Sequence, residues 1–500
     1  MRRFILAIDQ GTTGTTAIIF DMQGRPVCQG YQEFTQYYPK PGWVEHDPNE
    51  IWQATLGAIS GALRGPVQAG EIVSIGISNQ RETIVAWDKA SGEPVGNAVV
   101  WQCRRTAPMC QELMNGGYTK TIQRKTGLVL DPYFSGTKIA WMLDNLAGLK
   151  ARAQNGDILF GTVDSWLIWC LTGGKRHITD YTNASRTLLY NIHELDWDQE
   201  LLELFDIPPH VLPKVLPSSG FFGTTDNIRC LPAGIPICGV AGDQQAALFG
   251  QTCFEPGMVK NTYGTGCFVL MNTGQTAIES KQGLLTTIAW GLEPNKVEYA
   301  LEGSVFVGGA VVQWLRDELG LIEDAAETES LAEAVSDTAG VYLVPAFVGL
   351  GTPHWDPYAR GAILGLTRGV NRNHIVRAAL ESIAYQSGDV IRSMAKDAAI
   401  PIPTLRVDGG ASVNNFLMQF QADILNVEVE RPQVIETTAM GAAFLAGLGC
   451  GIWPNLDDIA HTWQEERKFI PRLDDEKHKA LLTGWQRAVE RSLGWVEAEK

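Results

Sequence analysis

The sequence predicts an α/β protein built from two similar halves, and three observations carry that prediction. Residues 4–8 are apolar without a break and lead into Asp9-Gln10-Gly11-Thr12-Thr13-Gly14-Thr15, after which residues 16–20 are apolar and β-branched again. Half a chain later the order repeats: residues 258–262, then Tyr263-Gly264-Thr265-Gly266, then residues 267–271. Between the two, an apolar run at 235–240 ends at Ala241-Gly242-Asp243 and passes into a helical pattern at 244–249.

Each element has a physical reason. An unbroken apolar run of strand length fits a strand buried on both faces. Two such runs joined by a Gly- and Thr-rich turn read as a hairpin, with no helix directly after the glycines. Residues 404–407 read as a short strand, Asp408-Gly409-Gly410 as a turn, and the apolar periodicity of 415–425 as a helix. Glycine and proline interrupt the pattern at 250–256, which divides the chain into domains at 1–249 and 250–500.

Composition bounds the function. The 500 residues are 45% apolar and 19% charged, as in ordinary globular proteins. A net charge of −16 argues against nucleic acid or an anionic membrane as the main partner. It leaves room for a phosphate held by a local set of donors. Nine cysteines stand singly, without a Cys-x-x-Cys pair, as in a reduced cytoplasmic protein lacking a zinc site. The start is basic, but the apolar run behind it is too short for a signal peptide or a membrane span. The Asn183-Ala184-Ser185 sequon is therefore expected to be silent.

A Gly/Thr turn offers backbone N–H groups and hydroxyls at close range, the donors that a di- or triphosphate needs. Two such turns in matched positions point to phosphate more strongly than either alone. The chain has no Walker A run and no His-Arg-Asp or Asp-Phe-Gly motif, so ATP chemistry here needs another scaffold. Asp243 reads either as a helix N-cap or as a general base at the carboxyl edge of a sheet. Asp9 reads as a turn residue or as a Mg²⁺ partner through water. Arg81-Glu82 follows a strand-like 75–78 and reads as a solvated pair or a binding pair. Trp101-Gln102-Cys103-Arg104-Arg105 and Tyr133-Phe134-Ser135 read as core or as substrate walls.

Together these segments resemble the FGGY carbohydrate kinase family from end to end. The likeness rests on Asp9-Gln10-Gly11-Thr12-Thr13, on Tyr38-Pro39-Lys40-Pro41-Gly42-Trp43-Val44-Glu45-His46-Asp47-Pro48, and on Asn79-Gln80-Arg81-Glu82-Thr83. It continues through Trp101-Gln102-Cys103-Arg104-Arg105, Asp131-Pro132-Tyr133-Phe134-Ser135-Gly136-Thr137-Lys138 and Ala241-Gly242-Asp243-Gln244-Gln245. Two family signatures fit, one at 133–138 with 141–145 and one at 361–381. The segments at 79–83 and 101–105 look like the glycerol-phosphorylating members in particular.

The resemblance implies an actin-like ATPase fold, two ribonuclease H-like domains with a cleft between them. It implies transfer of the γ-phosphoryl group of MgATP to glycerol, giving sn-glycerol 3-phosphate. Residue by residue, it implies Arg81, Glu82, Tyr133, Asp243 and Gln244 on the glycerol hydroxyls, with Trp101 and Phe268 over the C–H face. Asp243 is the implied general base. Thr12, Thr13, Gly14 and Thr265 are implied at the phosphates, and Gly309, Gln313, Gly410 and Asn414 along the nucleotide. Asp9 and Asp243 are implied toward Mg²⁺, and a homodimer or homotetramer is expected. Many members carry Arg where this chain has Thr16. The 229–234 stretch lacks the Gly/Arg pattern of a sugar-bisphosphate loop, and 221–231 holds no histidine. The competing readings are a kinase of another polyol or a ketopentose, an actin-like chaperone or filament, and an inactive sensor. The polar set around Arg81-Glu82 and the pair Asp9 and Asp243 favour glycerol phosphorylation.

Overall fold

The computed structural model describes residues 3–226 and 228–496; Met1 and Arg2 of the basic start, and Asn227 within 221–231, lie outside the described residues. Two mixed sheets form the framework. The first holds β1 (Phe4–Gln10), β2 (Gly14–Phe20), β3 (Pro26–Glu33), β4 (Ile72–Asn79), β5 (Ser219–Thr224) and β6 (Pro236–Gly242), in the spatial order β5-β6-β4-β1-β2-β3. The second holds β7 (Val259–Tyr263), β8 (Cys267–Gly274), β9 (Leu285–Glu293), β10 (Lys296–Val305), β11 (Leu405–Asp408), β12 (Val429–Pro432) and β13 (Glu465–Phe469), in the order β9-β10-β8-β7-β11-β12-β13. Each opens with an antiparallel hairpin, β1/β2 or β7/β8, and sets a later strand parallel to its first, β4 on β1 or β11 on β7. The duplicated α/β architecture expected from the two hairpins is present.

The apolar run of β1 feeds two cores. Leu6 and Ile8 meet Ile51, Ile59, Leu167 and Ile168 on one face, while Ile5 and Ala7 join Ala246, Phe444 and Leu445 on the other. That is why the run shows no polar alternation. The first turn is shorter than its composition suggests. Strand β1 continues through Gln10 and β2 begins at Gly14, so Asp9 is a strand residue paired with Thr16 and does not start the turn. Ladder hydrogen bonds on both sides of Asp9 override the turn preference of aspartate.

The helices α1 (Asp243–Gly250), α2 (Arg372–Ala398), α3 (Asn415–Leu425) and α4 (Thr437–Gly449) include an exchange between the halves. Helix α4 belongs to the second half but lies on the first sheet. It approaches Gly76 of β4 and Gly239 of β6 so closely that a Cβ at either would overlap the backbone at Ala442 or Ala446. Helix α1 ends the first half and reaches the second sheet, where Phe249 packs edge-on against Trp290 at 5.3 Å beside Leu270 and Ala300. The two helices cross at Gly250 and Gly441. A smaller sheet of Glu45–His46, Ala98–Val99, Ile84–Asp88 and Ile158–Thr162 leads out of the Arg81-Glu82 turn and into Trp101. Among the described residues no helix is long and apolar enough to cross a membrane.

The helix crossing gives a direct test. In Gly441→Ala the new methyl overlaps the Ala246 carbonyl oxygen, a backbone atom that cannot rotate away. Overpacking of this kind costs about 1–3 kcal/mol. The melting midpoint should fall by several degrees in calorimetry, and an unchanged midpoint would contradict the packing described.

Candidate active site

The floor of the site is a buried ionic quartet. Arg81 lies in the turn after β4, and Gly242 beside it lacks a side chain; a Cβ there would stand 2.7 Å from the Arg81 stem. Arg81 donates from Nη1 and Nη2 to Glu302 at 2.6 and 2.9 Å, and from Nη1 to Gln245 Oε1 at 3.1 Å. Glu302 comes from β10, in the other half. Arg186 donates to Glu82 at 2.7 Å and to Glu302 at 3.1 Å. All four side chains are 2% exposed or less. Burial opposes the ionised Glu302 carboxyl, but Arg186 and Arg81 outweigh it and hold that group at about 2. Glu82 is raised, first by burial, against the pull of the same two arginines. Its backbone has φ 60°, a conformation side-chain-bearing residues seldom adopt, and this turns its carboxylate toward Arg186.

Above the floor stand the aromatic wall and the carboxylates. Trp101 and Tyr133 meet edge to face at 5.5 Å. Trp101 Nε1 donates to Thr12 Oγ1 at 3.0 Å, which joins the wall to the first hairpin. Lys138, buried and pushed down to about 7 by that burial, donates to the carbonyls of Tyr133, Phe134 and Glu82 and fixes the backbone behind the wall. Asp243 opens α1 with its side chain 30% exposed. Its Oδ1 accepts from the Gln244 N–H at 2.7 Å and lies 3.2 Å from Arg81 Nε. Burial raises its pKa and Arg81 opposes the rise. Asp9 is pushed up to about 7 by burial and by the nearby charges of Asp243 and Glu436. Carboxylates gathered in this way suit a hard cation such as Mg²⁺, which is held by one or two of them. Among the described residues no group of three or more His, Cys, Asp or Glu forms a cage of its own.

A cavity of about 790 Å³ opens in the second half. Thr265, Gly309, Gln313, Gly410 and Asn414 all line it. The second hairpin turn is fixed there by backbone bonds: Gly308 N to Thr265 O at 2.8 Å and Gly309 N to Gly264 O at 2.8 Å. Thr12, Thr13 and Gly14 do not line this cavity; they stand on the first half, where Thr12 is linked to Trp101 of the aromatic wall. Phe268 lies on β8, opposite Thr262 of β7. Buried Lys260 donates to Gln244 Oε1 and to the Phe268 carbonyl, and burial pushes it down to about 8.

The arrangement thus brings together Arg81, Glu82, Asp243 and Gln244, sets Trp101 against Tyr133, and gathers the five cavity residues. Sequence reasoning missed Arg186, Gln245, Glu302 and Glu436. A glutamate inside the buried stretch 299–303 of β10 is the one signal that could have flagged Glu302.

The N-terminal domain of the FGGY family of carbohydrate kinases matches residues 4–250, and the C-terminal domain matches residues 259–450. The chain is 59% identical to the glycerol kinase of Caldanaerobacter subterraneus subsp. tengcongensis, over 99% of this chain and 100% of that one. It is 60% identical to glycerol kinase 2 of Thermotoga maritima, over 99% of each. Among solved structures, Plasmodium falciparum glycerol kinase with ADP has a TM-score of 0.94 at 39% identity, over 98% of both chains. The ligand-bound xylulose kinase from Lactobacillus acidophilus shares the fold, with a TM-score of 0.86 at 23% identity over 98% and 97%. This chain belongs to the FGGY family of carbohydrate kinases.

Proposed function

We propose that the chain moves the γ-phosphoryl group of ATP onto a terminal hydroxyl of glycerol, with Asp243 as general base. The observation that carries this is the state of Asp243: partly exposed at the start of α1, with Oδ1 beside the Gln244 N–H and Arg81 Nε. The full-length likeness to glycerol kinases supports the choice of acceptor. Three hydroxyls need both donors and acceptors, and a pocket built for them rejects analogues that lack them. Arg81, Tyr133 and Gln244 supply donors; Glu82 and Asp243 supply acceptors.

In the transfer the glycerol O–H gives its proton to Asp243 and its oxygen bonds to the γ-phosphorus, while the bond from that phosphorus to the β,γ-bridging oxygen breaks and ADP leaves. Arg81 keeps the base ionised, and burial keeps it more basic than a solvated aspartate. The cavity residues hold the nucleotide and the two hairpins meet its phosphates. Asp9 and Asp243 would hold Mg²⁺, which would offset phosphate charge when bound. Alignment of acceptor and donor and exclusion of water supply the rest of the acceleration. The scattered cysteines, all free thiols, support a cytoplasmic setting.

Three results are expected. Asp243→Asn, isosteric but unable to accept the proton, should lower kcat by about 10²–10⁴-fold with glycerol binding largely kept; retention of more than about a tenth of turnover excludes the assigned base. In an ADP-release assay, glycerol should exceed xylitol and xylulose in kcat/KM by orders of magnitude, and equal values would move the acceptor to a longer sugar or polyol. Thr16→Arg should bind ATP and ADP more tightly, because residue 16 leaves the phosphate turn and a charge-assisted hydrogen bond adds about 1.5–3 kcal/mol. Calorimetric titration showing equal or weaker binding would mean that the phosphate donors are already complete.

A further inference from the structure

The 38–48 segment carries much of the family likeness, yet none of its side chains enters the site described above. Its His46 is fully buried, and burial holds the imidazole down at about 4, so the ring is neutral. The ring lies between two glutamine amides. Nε2 is 2.6 Å from Gln36 Oε1, and Nδ1 is 3.4 Å from Gln80 Nε2. An amide oxygen only accepts and an amide nitrogen only donates. One tautomer, protonated on Nε2, therefore satisfies both neighbours.

Both amides also reach the first hairpin turn. Gln36 Nε2 donates to the Thr12 carbonyl at 2.9 Å and Gln80 Nε2 to the Gly11 carbonyl at 3.1 Å, where Gln10 Nε2 adds a bond at 2.7 Å. The Thr13 carbonyl accepts from Phe34 N–H at 3.3 Å and the Gly14 carbonyl from Gly11 N–H at 2.9 Å. Every carbonyl from Gly11 to Gly14 is thus engaged by the protein. A turn can offer N–H groups to an anion only if its carbonyls are held elsewhere. The chain of bonds also runs to the acceptor wall. Trp101 N–H donates to Thr83 Oγ1 at 3.2 Å, Thr83 Oγ1 donates to Gln80 Oε1 at 2.9 Å, and Trp101 Nε1 returns to Thr12 Oγ1 at 3.0 Å.

We infer that Gln36, His46 and Gln80 are positioning residues that lock the carbonyls of the first hairpin away from the triphosphate and tie this turn to the acceptor wall. The inference rests on the reading that this hairpin contacts phosphate. Three variants separate the two ideas. Thr13→Asp puts a negative charge on the exposed tip of the turn. Gln36→Met removes the amide between His46 and Thr12 but keeps the length of a half-buried side chain. His46→Gln keeps the site polar but loses the ring geometry, and serves as a second probe of the network.

Calorimetric ATP titration, KM for each substrate and thermal midpoints are measured on all three. Thr13→Asp should weaken ATP binding by at least tenfold. Gln36→Met and His46→Gln should raise the ATP Kd and KM by about three- to tenfold, the range of one lost hydrogen bond, with glycerol KM within about twofold. Unchanged ATP affinity in both network variants, with Thr13→Asp weakened, overturns the inference and leaves the hairpin reading intact. A lower midpoint with both KM values rising together marks mere scaffolding and overturns it as well. Parent-like ATP binding by Thr13→Asp removes the hairpin reading itself, and the inference with it.

Discussion

The site depends on one buried carboxylate, Glu302, set between two buried arginines. An isolated ion there would lose several kcal/mol of hydration, and removing one partner of such a pair costs about 3–5 kcal/mol. The quartet of Arg81, Arg186, Glu82 and Glu302 solves this by cancelling charge within itself. Since Glu302 comes from β10 and the other three come from the first half, the neutral arrangement exists only where the two halves meet. Both terminal nitrogens of Arg81 bond to Glu302, so its Nε is the edge turned to Asp243. The orientation of Asp243 is therefore a consequence of how the two sheets are joined.

Legibility in the sequence follows the distance over which each feature is determined. The hairpins, the strand leading to Asp243 and the helix at 415–425 are local, and their patterns place them to within a residue or two. Asp9 was misplaced by the same logic, since its short-range turn preference yields to ladder bonds with β2 and β4. Glu302 bonds to residues 221 and 116 positions away, and a single sequence carries no signal for pairs so remote. Gly76 sits in an apolar strand where glycine implies close approach, but the approaching helix is α4, at the far end of the chain. Gly309 and Gln313 came from family likeness alone; no local pattern distinguishes them. Asn183, part of a glycosylation-like triplet, is buried and bonded to Asn79.

The two hairpins show how a duplicated plan diverges. The second is held by main-chain N–H groups of Gly308, Gly309 and Ala310, and a Cβ at Gly309 would come within 2.8 Å of the Gly264 carbonyl oxygen. The first adds, to main-chain bonds from Gly11 and Phe34, side-chain amides from β1, from the loop after β3 and from the turn after β4. A backbone brace needs glycine but no particular side chains. A side-chain brace needs glutamines, whose amides donate and accept at once, and this suits a turn that is also bonded to Trp101.

The exchange of helices has a consequence for the order in which the chain is made. All the residues of strands β1 to β6 are translated long before Thr437. Until then Ile5, Ala7 and Ile18 face water, and the shallow groove over Gly76 and Gly239 stays open. The first half therefore cannot finish folding when its own residues are complete; it waits for a helix encoded near the other end of the message. A chain released early, anywhere before Gly449, carries an uncovered apolar face of the kind that draws unfinished chains into aggregates.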